Sequence, residues 1–130
     1  MNILITGGAG YIGSHLVPIL LKKNFYVTVL DNFLFKQNSI QKLEQNKNLK
    51  IVNGDVRDKK IVKELLSKAD LIIPLAALVG APLCDKFPKD AKEVNLESIS
   101  FLNSQLSKEQ HVILPVSNSG YGIGKPGEFC

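Results

Sequence analysis

Thr6-Gly7-Gly8-Ala9-Gly10-Tyr11-Ile12-Gly13-Ser14-His15 is the stretch whose reading decides the fold. An apolar, β-branched run over residues 2–6 precedes it, and Gly7-Gly8 stops that run, as at the end of a buried parallel strand. After it, Ile12, Leu16, Ile19 and Leu20 recur at helical spacing, which predicts a helix over residues 11–23 with its apolar face at those positions. Pro18 lies inside it and is expected to kink it or tighten its turns, because proline removes one backbone donor. Strand, glycine turn and helix together give the three glycines separate tasks. Gly7 permits the tight turn, Gly10 lets a diphosphate approach the backbone, and Gly13 lets the helix pack close to the sheet. The unpaired amides and partial positive charge of the helix N-terminus then favour phosphate.

Working outward, residues 25–30 form a second predicted strand that ends at Asp31, eighteen residues after Gly13. A carboxylate there is placed to accept hydrogen bonds from adenosine ribose hydroxyls. It would repel a 2′-phosphate, so NAD is expected over NADP. Residues 32–48 are polar and read as a loop with a short helix near 40–45. A third strand covers 49–53 and stops at Gly54-Asp55. Asp58 is the expected N-cap of a helix over 59–67 with Ile61, Leu65 and Leu66 inward. A fourth strand covers 71–75. Residues 78–89, with Gly80, Pro82 and Pro88, read as mostly loop. A long helix follows over 89–107, with Ala91, Val94, Ile99 and Leu102 on its apolar side. The fifth strand covers 111–116, and Gly- and Pro-rich sequence follows it. Strands alternating with helices predict an α/β fold: a Rossmann-type, doubly wound parallel sheet spanning residues 1–130 as one domain.

Composition narrows the function classes. The 130 residues are 45% hydrophobic and 22% charged, an ordinary globular balance for one domain. With no Trp and only three Tyr, no aromatic platform for single-stranded nucleic acid is expected. The net charge of +4 comes from lysines dispersed between Lys22 and Lys125, so no nucleic-acid stripe forms. Cys84 and Cys130 match no metal-ligand spacing and read as free thiols of a reducing compartment. The N-terminus has no basic segment of a signal peptide, and no apolar run approaches the roughly 18 residues of a membrane span. A cytoplasmic location without membrane contact is the expectation.

The same residues carry a family resemblance over essentially the whole chain. Residues 6–15 closely resemble the glycine turn of the extended short-chain dehydrogenase/reductase family, and within it the NAD-dependent nucleotide-sugar epimerases and dehydratases. Asp31-Asn32 resembles that family's Asp-Asn after the second strand. Gly54-Asp55-Val56-Arg57 is similar to its Gly-Asp-(Ile/Val)-Arg, whose Asp contacts adenine. Leu75-Ala76-Ala77 stands where the family has His-Leu-Ala-Ala along the cofactor, with Pro74 in place of the His. Val94-Asn95 resembles a Val-Asn whose Asn steadies the active-site floor. Residues 117–122 resemble the Ser-Ser-x-x-Val-Tyr-Gly stretch, which puts Ser117 at the catalytic Ser/Thr position and makes Ser119 a weaker substrate contact. The resemblance thus implies cofactor contacts at Gly7, Gly10, Tyr11, Ile12, Gly13, Asp31, Asn32, Asp55, Val56, Leu75, Ala76, Ala77 and Asn95, with Ser117 catalytic. It implies hydride transfer through NAD, a nucleotide-sugar substrate, and room for a homodimer in the complete enzyme.

In the family a Tyr acts as general base, with a Lys four residues on along one helix. Tyr121 and Lys125 have that spacing. Gly122, Gly124 and Pro126-Gly127 oppose a helix there, and without one the two side chains share no face. The family's catalytic pair comes farther along the chain. The expectation is therefore an incomplete, marginally stable domain, truncated after the fifth strand, that binds cofactor without turnover. A regulatory NAD-binding module of the same fold, or an oxidoreductase acting on a non-nucleotide substrate, are the alternative readings.

Overall fold

Alternate residues of the first strand face opposite sides of the sheet, as the period of two in an extended chain requires. In the computed structural model, which describes residues 1–36 and 39–116, β1 (Asn2–Thr6) sends Ile3 and Ile5 into one core and Leu4 into another. The first core lies under α1 (Tyr11–Lys22), where Val17 and Leu21 meet Val27, Val29 and Ile73. The second lies under α2 (Lys59–Leu66) and α5 (Ser98–Ser104), where Val62, Leu65, Leu66 and Leu102 meet Leu30 and Ile72. The sheet is all parallel in the order β3-β2-β1-β4-β5, with β2 at Tyr26–Asp31, β3 at Leu49–Asn53, β4 at Leu71–Pro74 and β5 at His111–Val112. Strand order reverses between β1 and β4, which opens a crevice at their carboxyl ends. This is the Rossmann-type doubly wound sheet expected from the sequence.

Several local expectations are corrected. The buried stripe of α1 is Gly13, Val17 and Leu21, with Leu16 and Leu20 half-buried beside it, while Ile12 and Ile19 are about half exposed. The packing of Gly13 against the turn fixes the rotation of the helix and turns those two isoleucines outward. The helix runs through Pro18 without a break and ends where Asn24 takes a positive φ of 60°. On α2, Val62 is buried and Ile61 only half-buried, and Asp58 caps the helix by accepting from the amides of Lys60 and Ile61 at 2.9 and 3.1 Å. The loop expected after β4 contains α3 (Ala81–Lys86), with Pro82 in its first turn, where the missing N–H would have no helical partner. The long helix is α4 (Pro88–Lys92), a π turn (Glu93–Glu97) and α5 in unbroken helical conformation. The helix expected near 40–45 is one 3-10 turn, Gln41–Leu43, anchored by the fully buried Ile40.

β5 stops well before Val116, for a legible reason. The amides of His111 and Ile113 donate to the carbonyls of Asp70 and Ile72 at 3.0 Å each. The next amide in that series belongs to Pro115, and Pro74 on the facing strand also has no N–H. The ladder runs out of donors on both sides.

Candidate functional site

The glycine turn is set by close backbone packing. Gly7 has φ +69° and donates to the Leu30 carbonyl at 2.8 Å. A Cβ on it would stand 2.5 Å from the Ala76 nitrogen and 2.6 Å from the Ala76 Cα, so the turn presses directly on the chain leaving β4. A Cβ on Gly13 would run into the Gly8 backbone, so this glycine packs the helix onto the turn itself. Gly10 differs from both: a Cβ there meets only the Gly7 carbonyl oxygen, at 3.2 Å, and otherwise open space. Gly10 is also the N-cap of α1 and has no side chain to cap it, and the first turn holds no acid. The leading amides of the helix are left to face an anion.

Asp31 closes the turn from the side. Its Oδ2 accepts from the Ala9 amide at 2.9 Å and its Oδ1 from the Phe33 amide at 2.8 Å. The Ser39 hydroxyl donates to the Ala9 carbonyl at 2.8 Å, so Ala9 is held on both sides.

A cleft runs from this turn across the carboxyl ends of the strands. Gly7, Gly10, Asp31, Asn32, Asp55, Val56, Leu75, Ala76 and Ala77 all line it. Of the other expected contacts, Tyr11 and Ile12 sit exposed at the start of α1 beside the cleft, and Gly13 is buried behind the turn. Asn95 does not line the cleft. Its Oδ1 accepts from the Leu78 amide and its Nδ2 donates to the Leu78 carbonyl, both at 2.8 Å. It therefore pins the loop that forms one wall. Ser117 and Ser119, and with them Tyr121, Lys125 and Cys130, lie outside the described residues.

Three features escaped the sequence reading. Phe33, Leu34, Phe35 and Leu78 also line the cleft, and no periodic signal marks residues in loops. Ala9 carries the amide that Asp31 holds. Arg57 is the centre of an ion-pair network. It bonds Asp55 through Nε and Nη2 at 2.9 and 2.8 Å, and Nη1 donates to Asp90 and Glu93 at 2.7 and 3.1 Å. These bonds hold the Asp55 carboxyl at about 2, below the ordinary aspartate range, although partial burial works the other way. A cation two residues after an acid at a strand end was the available signal.

Residues 3–128 match the family described as NAD dependent epimerase/dehydratase family. UDP-N-acetyl-alpha-D-glucosaminuronate decarboxylase of Bacillus cytotoxicus is 35% identical over 95% of this chain and 38% of its own length. UDP-glucose 4-epimerase of Neisseria meningitidis is 30% identical over 98% of this chain and 39% of its own. Among solved structures, UDP-glucuronic acid 4-epimerase of Bacillus cereus, in complex with UDP-glucuronic acid and NAD, superposes with a TM-score of 0.84 at 29% identity. That superposition covers 96% of this chain and 43% of the other. The chain thus spans roughly two fifths of the length of these relatives. No helix among the described residues is long and apolar enough to cross a membrane.

Proposed function

The chain belongs to the NAD-dependent epimerase/dehydratase family, and from that premise we propose that it holds NAD along the cleft as the cofactor-binding part of an enzyme acting on nucleotide sugars. The observation that carries the reading is the meeting of the glycine turn and Asp31 at one end of the cleft, joined by the bond from the Ala9 amide to Oδ2. The donor set suits the cofactor. Gly10 leaves the space a diphosphate needs, and the leading amides of α1 at Tyr11, Ile12 and Gly13 give it uncapped N–H groups. Each Asp31 oxygen accepts one backbone N–H and retains a lone pair for a ribose hydroxyl. Asn32 stands next to it. Asp55 and Val56 form the adenine edge, Leu75, Ala76 and Ala77 the apolar wall toward the nicotinamide half, and Asn95 keeps that wall in place through Leu78.

A bound NAD would supply reversible hydride transfer at a sugar carbon. The chain's own residues orient the dinucleotide for that exchange and keep the charged diphosphate on the helix N-terminus. Ser117 is assigned the hydrogen bond to the reacting oxygen. Tyr121 and Lys125 are not assigned the proton transfer. We place the protein in the cytoplasm, with a nucleotide sugar as substrate and a homodimer as the assembly of the complete enzyme.

Calorimetric titration with NAD and with NADP tests the reading. NAD should bind more tightly, and Asp31→Ala should narrow the gap by removing the charge that repels a 2′-phosphate. Equal affinities in the unaltered chain refute the role of Asp31. Turnover of a nucleotide sugar that is abolished by Tyr121→Phe refutes the exclusion of Tyr121.

A further inference from the structure

The sequence Asp55-Val56-Arg57 leaves β3 so that the Arg57 side chain turns back onto the acid two positions earlier. Oδ1 of Asp55 accepts from the Arg57 amide and from Nε, both at 2.9 Å, and Oδ2 accepts from Nη2 at 2.8 Å. A planar fork on a planar carboxylate fixes the carboxylate's plane as well as its position. The same guanidinium reaches Asp90 on α4 and Glu93 at the start of the π turn. That helical stretch carries Asn95, which holds Leu78 in the opposite wall of the cleft.

We propose that Arg57 is a positioning residue for dinucleotide recognition: it aims the Asp55 carboxylate into the cleft and ties it to the helix that carries Asn95. The proposal rests on the reading of Asp55 as the adenine contact. An ionised carboxylate offers about four lone-pair sites. Arg57 fills three of them, and the fourth receives the Asn32 amide nitrogen at 3.3 Å, the longest of the four bonds. The exocyclic amine of an adenine is a donor of the same kind and displaces that bond most easily. Asn32 then turns toward the ribose side, where its neighbour Asp31 stands. Without the Arg57 side chain, the three carboxylates of Asp55, Asp90 and Glu93 lose the cation that joins them, and the Asp55 carboxylate loses the planar fork, keeping only the backbone amide of residue 57 and the longer bond from Asn32.

The test compares NAD with nicotinamide hypoxanthine dinucleotide, in which a carbonyl acceptor replaces the adenine amine donor. The full chain should prefer NAD by about tenfold or more, the worth of one hydrogen bond to a charged group. Arg57→Ala should weaken both ligands, because uncompensated acids repel any dinucleotide, and should also bring the preference toward one. Arg57→Lys keeps the cation but lacks the fork. It should restore part of the affinity with little of the preference, and it serves if the alanine variant folds poorly. Asp55→Asn, whose amide can donate to the hypoxanthine carbonyl, should abolish or invert the preference. An Arg57→Ala chain that binds more weakly but keeps the full preference overturns the positioning role and leaves the Asp55 reading standing. No preference in the unaltered chain, or none lost in Asp55→Asn, overturns the adenine contact and with it the proposal.

Discussion

Substituting alanine at Gly7, Gly10 and Gly13 in turn should separate folding from binding within one turn of chain. At Gly7 two costs combine. The φ of +69° is a conformation an L-residue enters at a penalty of about 1–2 kcal/mol. The new Cβ would also lie 2.5–2.8 Å from backbone atoms of Ala76 and Leu75, which cannot swing aside as a side chain can. Overpacking of this kind costs roughly 1–3 kcal/mol. The sum, about 2–5 kcal/mol, is a large share of the roughly 5–15 kcal/mol that holds a domain together. At Gly13 the Cβ meets Gly8 backbone at an ordinary helical φ, and the gain in helix propensity of about 1 kcal/mol returns part of the overlap cost. The overlap there is also with backbone and is closer than at Gly7, so the net loss should be comparable to that at Gly7. At Gly10, φ is −72° and the single close neighbour is 3.2 Å away, so the fold should lose no more than about 1 kcal/mol. The methyl group there fills the space proposed for the diphosphate, and NAD affinity should fall at least about tenfold. Urea denaturation followed by far-ultraviolet circular dichroism gives the stabilities, and calorimetry the affinities. A Gly7→Ala chain within about 1 kcal/mol of the parent refutes the packing argument. A Gly10→Ala chain that binds NAD as the parent does refutes the cradle.

Asp58→Ala should cost about 1 kcal/mol by denaturant titration, because the amides of Lys60 and Ile61 lose their acceptor. Leu66→Ala, in the fully packed core under α2, should cost about 2–5 kcal/mol in the same assay. Asp55 sits at about 2, below its ordinary 3.8, so its ionised form stabilises the fold above pH 4 or so, and that contribution is lost as the pH falls toward 2. Arg57→Ala should therefore flatten the fall in stability across that window. Asn95→Ala removes two 2.8 Å bonds to Leu78 and should raise hydrogen exchange at the Leu78 amide, with the β1 amides unchanged.

The parts of the fold legible in the sequence were those where one physical demand acts alone. A strand buried on both faces must be continuously apolar, and a turn that approaches another backbone must be glycine, so β1 and Gly7 could be read directly, whereas Gly13, expected against the sheet, packs against Gly8 of the turn. Asp31 was marked by its place at the end of the second strand and Asp55 by the family resemblance, and both line the cleft. What escaped depended on partners outside the element itself. The rotation of α1 is set by Gly13 against Gly8, so Ile12 and Ile19 were assigned to the wrong face. The end of β5 is set jointly by Pro115 and by Pro74 on its neighbour, and neither residue alone predicts it. The role of Asn95 requires Leu78, and that of Arg57 requires Asp90 and Glu93 from a helix more than thirty residues away.

The bond between Asp31 and the Ala9 amide bears on protein engineering. A designer wishing to change which nicotinamide cofactor is accepted would replace Asp31 with a small neutral residue. That carboxylate is also a strut: it fastens the glycine turn and, through Phe33, the loop beyond β2. The exchange would therefore loosen the glycine turn, and affinity for both cofactors would fall even as the preference between them narrows. A successful redesign has to supply a second acceptor for the Ala9 amide first and alter the charge afterwards.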